Sequence, residues 1–189
     1  MRIPSLTAVV ALAGLVVASP SSAADYKIDP NHTHILFLVD HLGFSKIIGL
    51  FTNFSGGISF DPAKPEASKL NVAIKTASLQ TQFPPRDSDL KGADYFNVKE
   101  FPQMTFVGST FTKKDDTSGE IVGNLTLLGV TKPVTLEVTF NKMGKGGDGA
   151  DTVGFSARGS LKRSDFGMKT AVPYIGDNVD LMIETEAKR

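Results

Sequence analysis

Hydrophobic and polar residues alternate with a period of two in several separate stretches of this chain. In residues 133–141, Val134, Leu136, Val138 and Phe140 occupy every second position, and polar residues fill most of the others. Successive side chains of a strand point to opposite faces, so each such segment has one buried face and one exposed face. Many half-buried strands in one small domain must either stack as two sheets or close into a barrel.

Short, turn-rich connections separate the predicted strands. About eight strands result when the first two segments, residues 26–29 and 32–41, are counted as one strand. Within residues 47–60, Gly49 and the pair Gly56-Gly57 are expected to mark bends or bulges. The predicted strands cover residues 26–29, 32–41, 47–60, 70–75, 104–113, 120–128, 133–143, 152–162 and 178–186.

Residues 82–102 interrupt this pattern. Pro84-Pro85 ends any strand, and Asp87 or Ser88 is expected to cap a short helix that continues through Asp94. We therefore predict an all-β fold, an eight-stranded antiparallel barrel with one short helical excursion. A two-sheet sandwich has the same periodicity and remains the alternative, although long strands and consecutive hairpins favour the barrel.

The N-terminal segment has the anatomy of a secretory signal peptide. Arg2 precedes an apolar run over residues 8–18, and the small residues Ser21-Ser22-Ala23 follow. We predict that residues 1–23 are cleaved and that residues 24–189 form a single domain in the periplasm. The apolar run is too short to span a bilayer, so no stable membrane span is expected after cleavage. The chain has no cysteine, so an exported form must rely on packing and sheet hydrogen bonds.

Composition and motifs argue against several classes of function. Lys plus Arg and Asp plus Glu each number 20, which gives no basic surplus for a nucleic acid. His32 and His34 have a spacing that metal ligands use, but His41 falls on the opposite strand face and no metal is predicted. There is no G-x-S-x-G nucleophile elbow and no phosphate-binding glycine loop, so no catalytic residue is assigned and the protein is not expected to be an enzyme.

Aromatic and charged residues leave two interpretations open. The 13 phenylalanines could fill an ordinary core or line an apolar ligand pocket, and composition does not separate these possibilities. Arg86-Asp87 begins the helical excursion, and Arg163-Ser164-Asp165 follows a strand end. These charges could form surface ion pairs of little energetic value, or a polar rim that holds a ligand head group.

Seven short motifs, in order from Tyr26 to about Ile183, resemble those of the YceI-like, polyisoprenoid-binding family. They are Tyr26-x-Ile28-Asp29-Pro30-x-His32-Thr33, His41-Leu42-Gly43 with Gly49-x-Phe51, Arg86-Asp87 with Leu90 and Asp94-Tyr95-Phe96, Phe101-Pro102-x-Met104-Thr105-Phe106, Gly123-x-Leu125-Thr126, Gly129-Val130-Thr131-Lys132-Pro133-Val134, and Arg163-Ser164-Asp165-Phe166-Gly167.

The resemblance implies a lipocalin-like barrel around an elongated apolar tunnel, periplasmic and homodimeric, that binds a long isoprenoid or other amphiphilic lipid such as a quinone or a prenyl phosphate. It implies no catalytic activity and no cofactor other than a bound lipid. One motif departs from the family. Where the family usually has Arg-Asp-x-His-Leu-Arg-Ser, residues 86–92 have an acid in place of the histidine and Lys91 in place of the second arginine. If these positions contact the head group, its identity or charge is expected to differ from that of a pyrophosphate.

The resulting hypothesis is a periplasmic binding or carrier protein for an isoprenoid-type lipid. The alternative is an interaction module with a filled barrel, in which the apolar residues 35–39 form a dimer or partner surface. The ligand-binding residues that we predict are Phe37, His41, Phe44, Phe51, Arg86, Asp87, Phe96, Phe106, Arg163, Asp165 and Phe166.

Overall fold

The computed structural model describes residues 23–189, and the predicted signal peptide lies outside them except for its last residue. The described chain forms a sheet of 11 strands and one α-helix, α1 (Pro84–Lys91). The strands are β1 (Ala24–Ile28), β2 (His34–His41), β3 (Ser45–Phe51), β4 (Phe54–Phe60), β5 (Lys69–Lys75), β6 (Leu79–Gln80), β7 (Gln103–Lys113), β8 (Ser118–Leu127), β9 (Val130–Lys145), β10 (Asp151–Lys162) and β11 (Ile175–Lys188).

These strands form a closed antiparallel barrel with 8 strand positions. Three positions are each occupied by two short strands that follow one another: β1 with β2, β3 with β4, and β5 with β6. Strand β1 pairs with β4 while β2 pairs with β3, and β11 pairs with both β1 and β2. That last pairing closes the ring. The predicted eight-stranded barrel is confirmed, and the sandwich alternative is wrong.

The strand predicted over residues 47–60 is broken at Thr52-Asn53, and the glycines are not the cause. The Thr52 amide donates to Ser78 O, and the Lys75 amide donates to Asn53 O. The partner strand therefore changes at the break, because β3 pairs with β6 and β4 pairs with β5. Gly49 and Gly56 lie inside strands. A Cβ on Gly56 would stand 2.2 Å from Asn71 O, so this glycine permits close approach of two backbones.

Helix α1 begins earlier than the sequence predicted, at Pro84 rather than after a cap at Asp87 or Ser88, and it ends at Lys91 rather than at Asp94. The two prolines occupy the first turn, where a missing N–H costs no intrahelical hydrogen bond. The Asp87 carboxylate instead accepts hydrogen bonds from the backbone amide and hydroxyl of Thr81. This carboxylate therefore anchors the helix to the segment that follows β6.

The barrel has two distinct ends. The helical end carries the connections at residues 42–44, 81–102, 128–129 and 163–174. The terminal end carries the connections at residues 61–68, 114–117 and 146–150 together with Ala24 and Arg189. Along each strand the apolar set points inward, as in residues 134–140. Within residues 23–189, no helix is both long enough and apolar enough to cross a bilayer.

Candidate ligand-binding cavity

The barrel encloses an elongated apolar cavity of about 490 Å³. This volume lies within the range of small-molecule pockets, and the wall contains residues from both barrel ends. His41 and Arg86 line it at the helical end, and Pro62 and Lys113 line it at the terminal end. The interior is therefore not filled, contrary to the alternative of a plugged barrel.

Two aromatic clusters form part of the wall. In the first, Phe51 has its ring centroid 5.7 Å from each of Phe37 and Phe96. In the second, at the terminal end, the rings of Phe60, Phe140 and Phe155 lie 5.2–5.7 Å apart. Tilted and edge-to-face pairs at these distances are favourable and hold the rings in fixed orientations.

Two wall phenylalanines lie directly over glycines of a neighbouring strand. A Cβ on Gly49 would stand 2.1 Å from Phe37 Cζ, and a Cβ on Gly123 would stand 2.2 Å from Phe106 Cζ. Each glycine therefore leaves room for a ring against the barrel wall. A larger residue at either position would push that ring toward the cavity.

The predicted binding residues divide into two groups. Seven of them line the cavity: Phe37, His41, Phe51, Arg86, Phe96, Phe106 and Arg163. Four do not, namely Phe44, Asp87, Asp165 and Phe166.

Each of the four outlying residues has a clear location. Phe44 is 89% exposed in the turn between β2 and β3, and Asp165 is exposed near the end of β10. Phe166 is buried in the apolar core without reaching the cavity wall, and Asp87 is bonded to Thr81. The sequence motifs marked these residues, but none of the four lines the cavity, and two of their side chains have another place: Phe166 in the core and Asp87 in the helix anchor.

Arg163 lines the cavity, and each of its three side-chain nitrogens donates one hydrogen bond to the backbone. It is 4% exposed and donates through Nε to Gly176 O, through Nη1 to Met168 O and through Nη2 to Ile175 O. Burial lowers the pKa of this guanidinium, and the nearby Tyr95 and Asp177 oppose that shift. Three of its five N–H donors therefore fasten the residue 163–176 connection, and two remain. Its role as a head-group ligand stays a prediction.

Arg86 is only partly engaged. Its Nε donates to Thr81 Oγ and its Nη2 donates to Thr81 O, each at 2.7 Å, and its guanidinium lies 5.5 Å from the centre of the Phe83 ring. A guanidinium has five N–H donors, so donors remain for a ligand at the helical end. Both predicted arginines line the cavity, but Arg86 is less buried and keeps three unused N–H donors, whereas Arg163 keeps two.

The two cavity ends differ in charge. At the helical end the charged wall residues are Arg86, Asp89 and Arg163. At the terminal end Lys113 lines the cavity with Asp115, Asp116 and Glu120. Ser118 and Thr117 donate hydrogen bonds to the Asp115 carboxylate and lower its pKa to about 2. The terminal end is therefore acidic at neutral pH.

The two histidines with metal-ligand spacing do not act together. His32 Nδ1 lies 2.7 Å from Asp29 Oδ2, whereas His34 stands opposite Glu184 in the sheet register. A second group of possible metal ligands consists of Asp29, His32 and Glu186. Each offers one carboxylate oxygen or ring nitrogen, and these three atoms lie within 4.8 Å of one another. The Asp29 carboxylate, however, already binds Lys188 Nζ at 2.8 Å. The Lys188 ammonium group therefore already balances the negative charge of the Asp29 carboxylate.

Sequence reasoning missed two kinds of wall residue. Aliphatic residues of β8 to β11, such as Ile121, Leu136 and Leu181, supply much of the wall, and the period-two pattern could have identified them. Ser68 also lines the cavity, and no motif distinguishes this serine from the others.

Comparison with known proteins gives a consistent picture. The profile of the YceI-like domain matches residues 26–187. Protein YceI of Escherichia coli is 44% identical over 173 residues, which are 89% of this chain and 89% of that protein. The solved structure of BcnA from Burkholderia cenocepacia is 26% identical with a TM-score of 0.78, over 85% of this chain and 99% of that one.

A fold likeness extends to a more distant structure. A polyisoprenoid binding domain from Saccharophagus degradans, implicated in plant cell wall breakdown, has a TM-score of 0.64 over 86% of this chain and 97% of that one. At 13% sequence identity this likeness shows the fold alone.

Proposed function

This chain belongs to the YceI-like family, and we propose that it binds one long-chain isoprenoid-type lipid with the tail held in the barrel cavity. The observation that carries the proposal is the elongated apolar cavity, whose wall extends from one end of the barrel to the other. The role is binding, with no catalytic step. A distant structural relative described as a polyisoprenoid binding domain supports this choice of ligand.

The energetics of the cavity favour a hydrocarbon tail. Removing apolar surface from water contributes roughly 0.8 kcal/mol per CH₂ group, so one isoprene unit contributes at most about 4 kcal/mol. A few units exceed the cost of ordering the chain and restricting its motion. The tail alone can therefore supply micromolar affinity, while the polar wall residues orient the ligand.

The first experiment is extraction of the protein purified from its own host, followed by mass spectrometry of the organic phase. We expect an isoprenoid lipid in near-stoichiometric amount. Displacement of a fluorescent naphthylamine dye by prenyl compounds gives the affinity in vitro. The proposal fails if no lipid co-purifies and if prenyl compounds do not displace the dye at micromolar concentration.

Phe106 tests the cavity wall directly. Phe106→Ala removes a ring that lies on the wall over Gly123, so we expect prenyl compounds to bind about tenfold more weakly while the barrel remains folded. The matched control is Val107→Ala, because Val107 is the next residue of β7 and its side chain is 50% exposed on the outer face. An unfolded Phe106→Ala protein, or equal losses in both variants, would assign Phe106 to the core only.

A homodimer is a second proposal, and the outer face of β2, β3 and β11 supports it. Leu38 pairs with Ile48, and Leu50 and Met182 lie on either side of Leu36 in the sheet register. Leu38, Ile48, Leu50 and Met182 do not line the cavity. Ile48 is 53% exposed. The continuous apolar run of residues 35–39 therefore divides between the cavity and this outer apolar patch.

The molecular mass in solution tests the dimer. We expect light scattering to give a dimer for the wild type and a monomer for Ile48→Glu, because a buried unpaired carboxylate opposes association. Val107→Glu, on a different outward face, is expected to remain dimeric. A monomeric wild type rejects the proposal.

We also propose the periplasm as the location, on the basis of the signal peptide predicted from residues 1–23. Periplasmic extraction followed by N-terminal sequencing is expected to give a mature chain that begins at Ala24. Full-length protein in the cytoplasmic fraction contradicts the proposal.

A further inference from the structure

We propose that the terminal end of the cavity is a separate polar subsite, in which Ser68 binds an uncharged alcohol or carbonyl group of the ligand. This inference rests on the proposed lipid-binding function and narrows it to ligands with a neutral hydrogen-bonding group. It also assigns an orientation, with that group at the end of the barrel opposite α1.

Ser68 is a buried hydroxyl that no protein group satisfies. Its side chain is 8% exposed, it lies on the cavity wall, and its Oγ has no hydrogen-bond partner among residues 23–189. A buried hydroxyl without a partner costs about 1–3 kcal/mol, so native proteins seldom leave one. A ligand oxygen that bonds to this hydroxyl would remove that cost.

The position of Ser68 places the hydroxyl inside the barrel. Lys69 of β5 pairs with Ser59 of β4. Ser68 precedes Lys69 and Phe60 follows Ser59, so both residues lie one step further toward the terminal end of the barrel. Phe60 and Leu70 share the cavity wall with Ser68, and both are apolar. A bound water needs two to four polar partners. A polar group attached to a hydrocarbon tail suits these surroundings better than a separate water molecule does.

Charge at this end selects against an anionic head group. Asp115, Asp116 and Glu120 line the terminal end together with Lys113. Lys113 Nζ is already paired with Asp116 Oδ1 at 3.1 Å. A phosphate placed here would meet more carboxylates than cations, and like charges at short range are costly. The subsite therefore fits a hydroxyl, quinone carbonyl or amide, whereas an anion fits the helical end near Arg86.

The test compares three probes that share one prenyl chain: farnesene, farnesol and farnesyl diphosphate. Dissociation constants are measured by dye displacement for the wild type, Ser68→Ala and the control Ser59→Ala, whose side chain lies on the outer face of β4. In Ser68→Ala we expect farnesol to bind about 2- to 10-fold more weakly, which is the effect of one lost hydrogen bond. Farnesene and farnesyl diphosphate should be unchanged, and Ser59→Ala should match the wild type.

Thermal unfolding without ligand gives an independent readout. Alanine removes an unsatisfied hydroxyl, so we expect the melting temperature of Ser68→Ala to equal or exceed that of the wild type. A clear decrease would show that Ser68 has a structural partner and would overturn the subsite. Unchanged farnesol affinity in Ser68→Ala, or an equal loss for farnesene, would also overturn it. If neither farnesene nor farnesol displaces the dye from the wild type, the lipid-binding function itself fails and the subsite fails with it.

Discussion

The two ends of the cavity carry opposite kinds of polar residue. The helical end has two arginines, Arg86 and Arg163, which strongly suggest an anion site when read as sequence. The terminal end has acidic residues and a single buried serine, Ser68. Yet Arg163 has all its nitrogen atoms bonded to backbone carbonyls, while the Ser68 hydroxyl has no partner among the described residues.

This difference shows that the binding capacity of a polar residue depends on which of its hydrogen bonds the protein itself already uses. Charge attracts attention in a sequence, but a buried guanidinium must be satisfied by hydrogen bonds within the protein, which leaves fewer of its N–H donors for a ligand. A neutral hydroxyl can remain unsatisfied at a moderate cost. Candidate head-group contacts are therefore ranked better by unused donors than by charge.

The largest effect is expected from Arg163→Met. Three backbone carbonyls at residues 168, 175 and 176 would lose their donor, so we expect the free energy of unfolding to fall by about 3–5 kcal/mol in urea denaturation. Farnesol affinity, measured where the variant is folded, should stay close to that of the wild type.

The control for this variant is Arg158→Met, because Arg158 lies on the outer barrel face and pairs with Glu184 at the surface. Exposed ion pairs contribute little, so its free energy of unfolding should change by less than about 1 kcal/mol. If Arg163→Met stays as stable as this control but loses affinity for farnesyl diphosphate, Arg163 contacts the ligand and the contrast between the two ends disappears.

Arg86→Met is expected to have an intermediate effect. Arg86 lines the helical end of the cavity and has unused donors, so farnesyl diphosphate should bind about tenfold more weakly to the variant, which is the effect of losing one charge-assisted hydrogen bond. Farnesol should be unaffected. The two variants are therefore expected to have opposite selectivity: Ser68→Ala weakens the binding of farnesol only, and Arg86→Met weakens the binding of farnesyl diphosphate only. Weaker farnesol binding in Arg86→Met would place the neutral group at the helical end instead.

The smallest effect concerns an ion-pair network at the terminal end. Hydrogen bonds from Lys188, His32 and the Asn31 amide hold the pKa of Asp29 well below its ordinary value near 3.8. A lowered carboxyl pKa contributes stability that is complete above the unfolded value and is lost as pH falls through the folded value. The network is therefore intact above about pH 5 and weakens in acid.

Thermal unfolding of Asp29→Asn tests this network. We expect a melting temperature about 2–4 °C below the wild type near neutral pH, with the difference shrinking as the pH falls below about 4. Asp116→Asn, at a fully exposed carboxylate, serves as the control and should change little. A difference that grows in acid would contradict the assigned direction of the pKa shift.

Part of the binding site was predictable from the sequence. The strand alternation that predicted a barrel also identified its inward face, and the phenylalanines at 37, 51, 96 and 106 do line the cavity. Phe44 and Phe166 do not line the cavity, because an aromatic residue in a family motif can equally lie exposed in a turn or fill the core.

By itself, the sequence determined the all-β architecture and the family, because period-two patterning and ordered motifs are local properties of the chain. The pairing of β11 with β1 and β2 decided between a barrel and a sandwich, since both folds share that periodicity. Only the tertiary structure decided which polar groups remain available. Each side-chain nitrogen of Arg163 donates to a backbone carbonyl of Met168, Ile175 or Gly176, and Ser68 is buried next to the paired strands β4 and β5. Hydrogen-bond satisfaction depends on where groups meet in space, and residue type and spacing along the chain do not fix that.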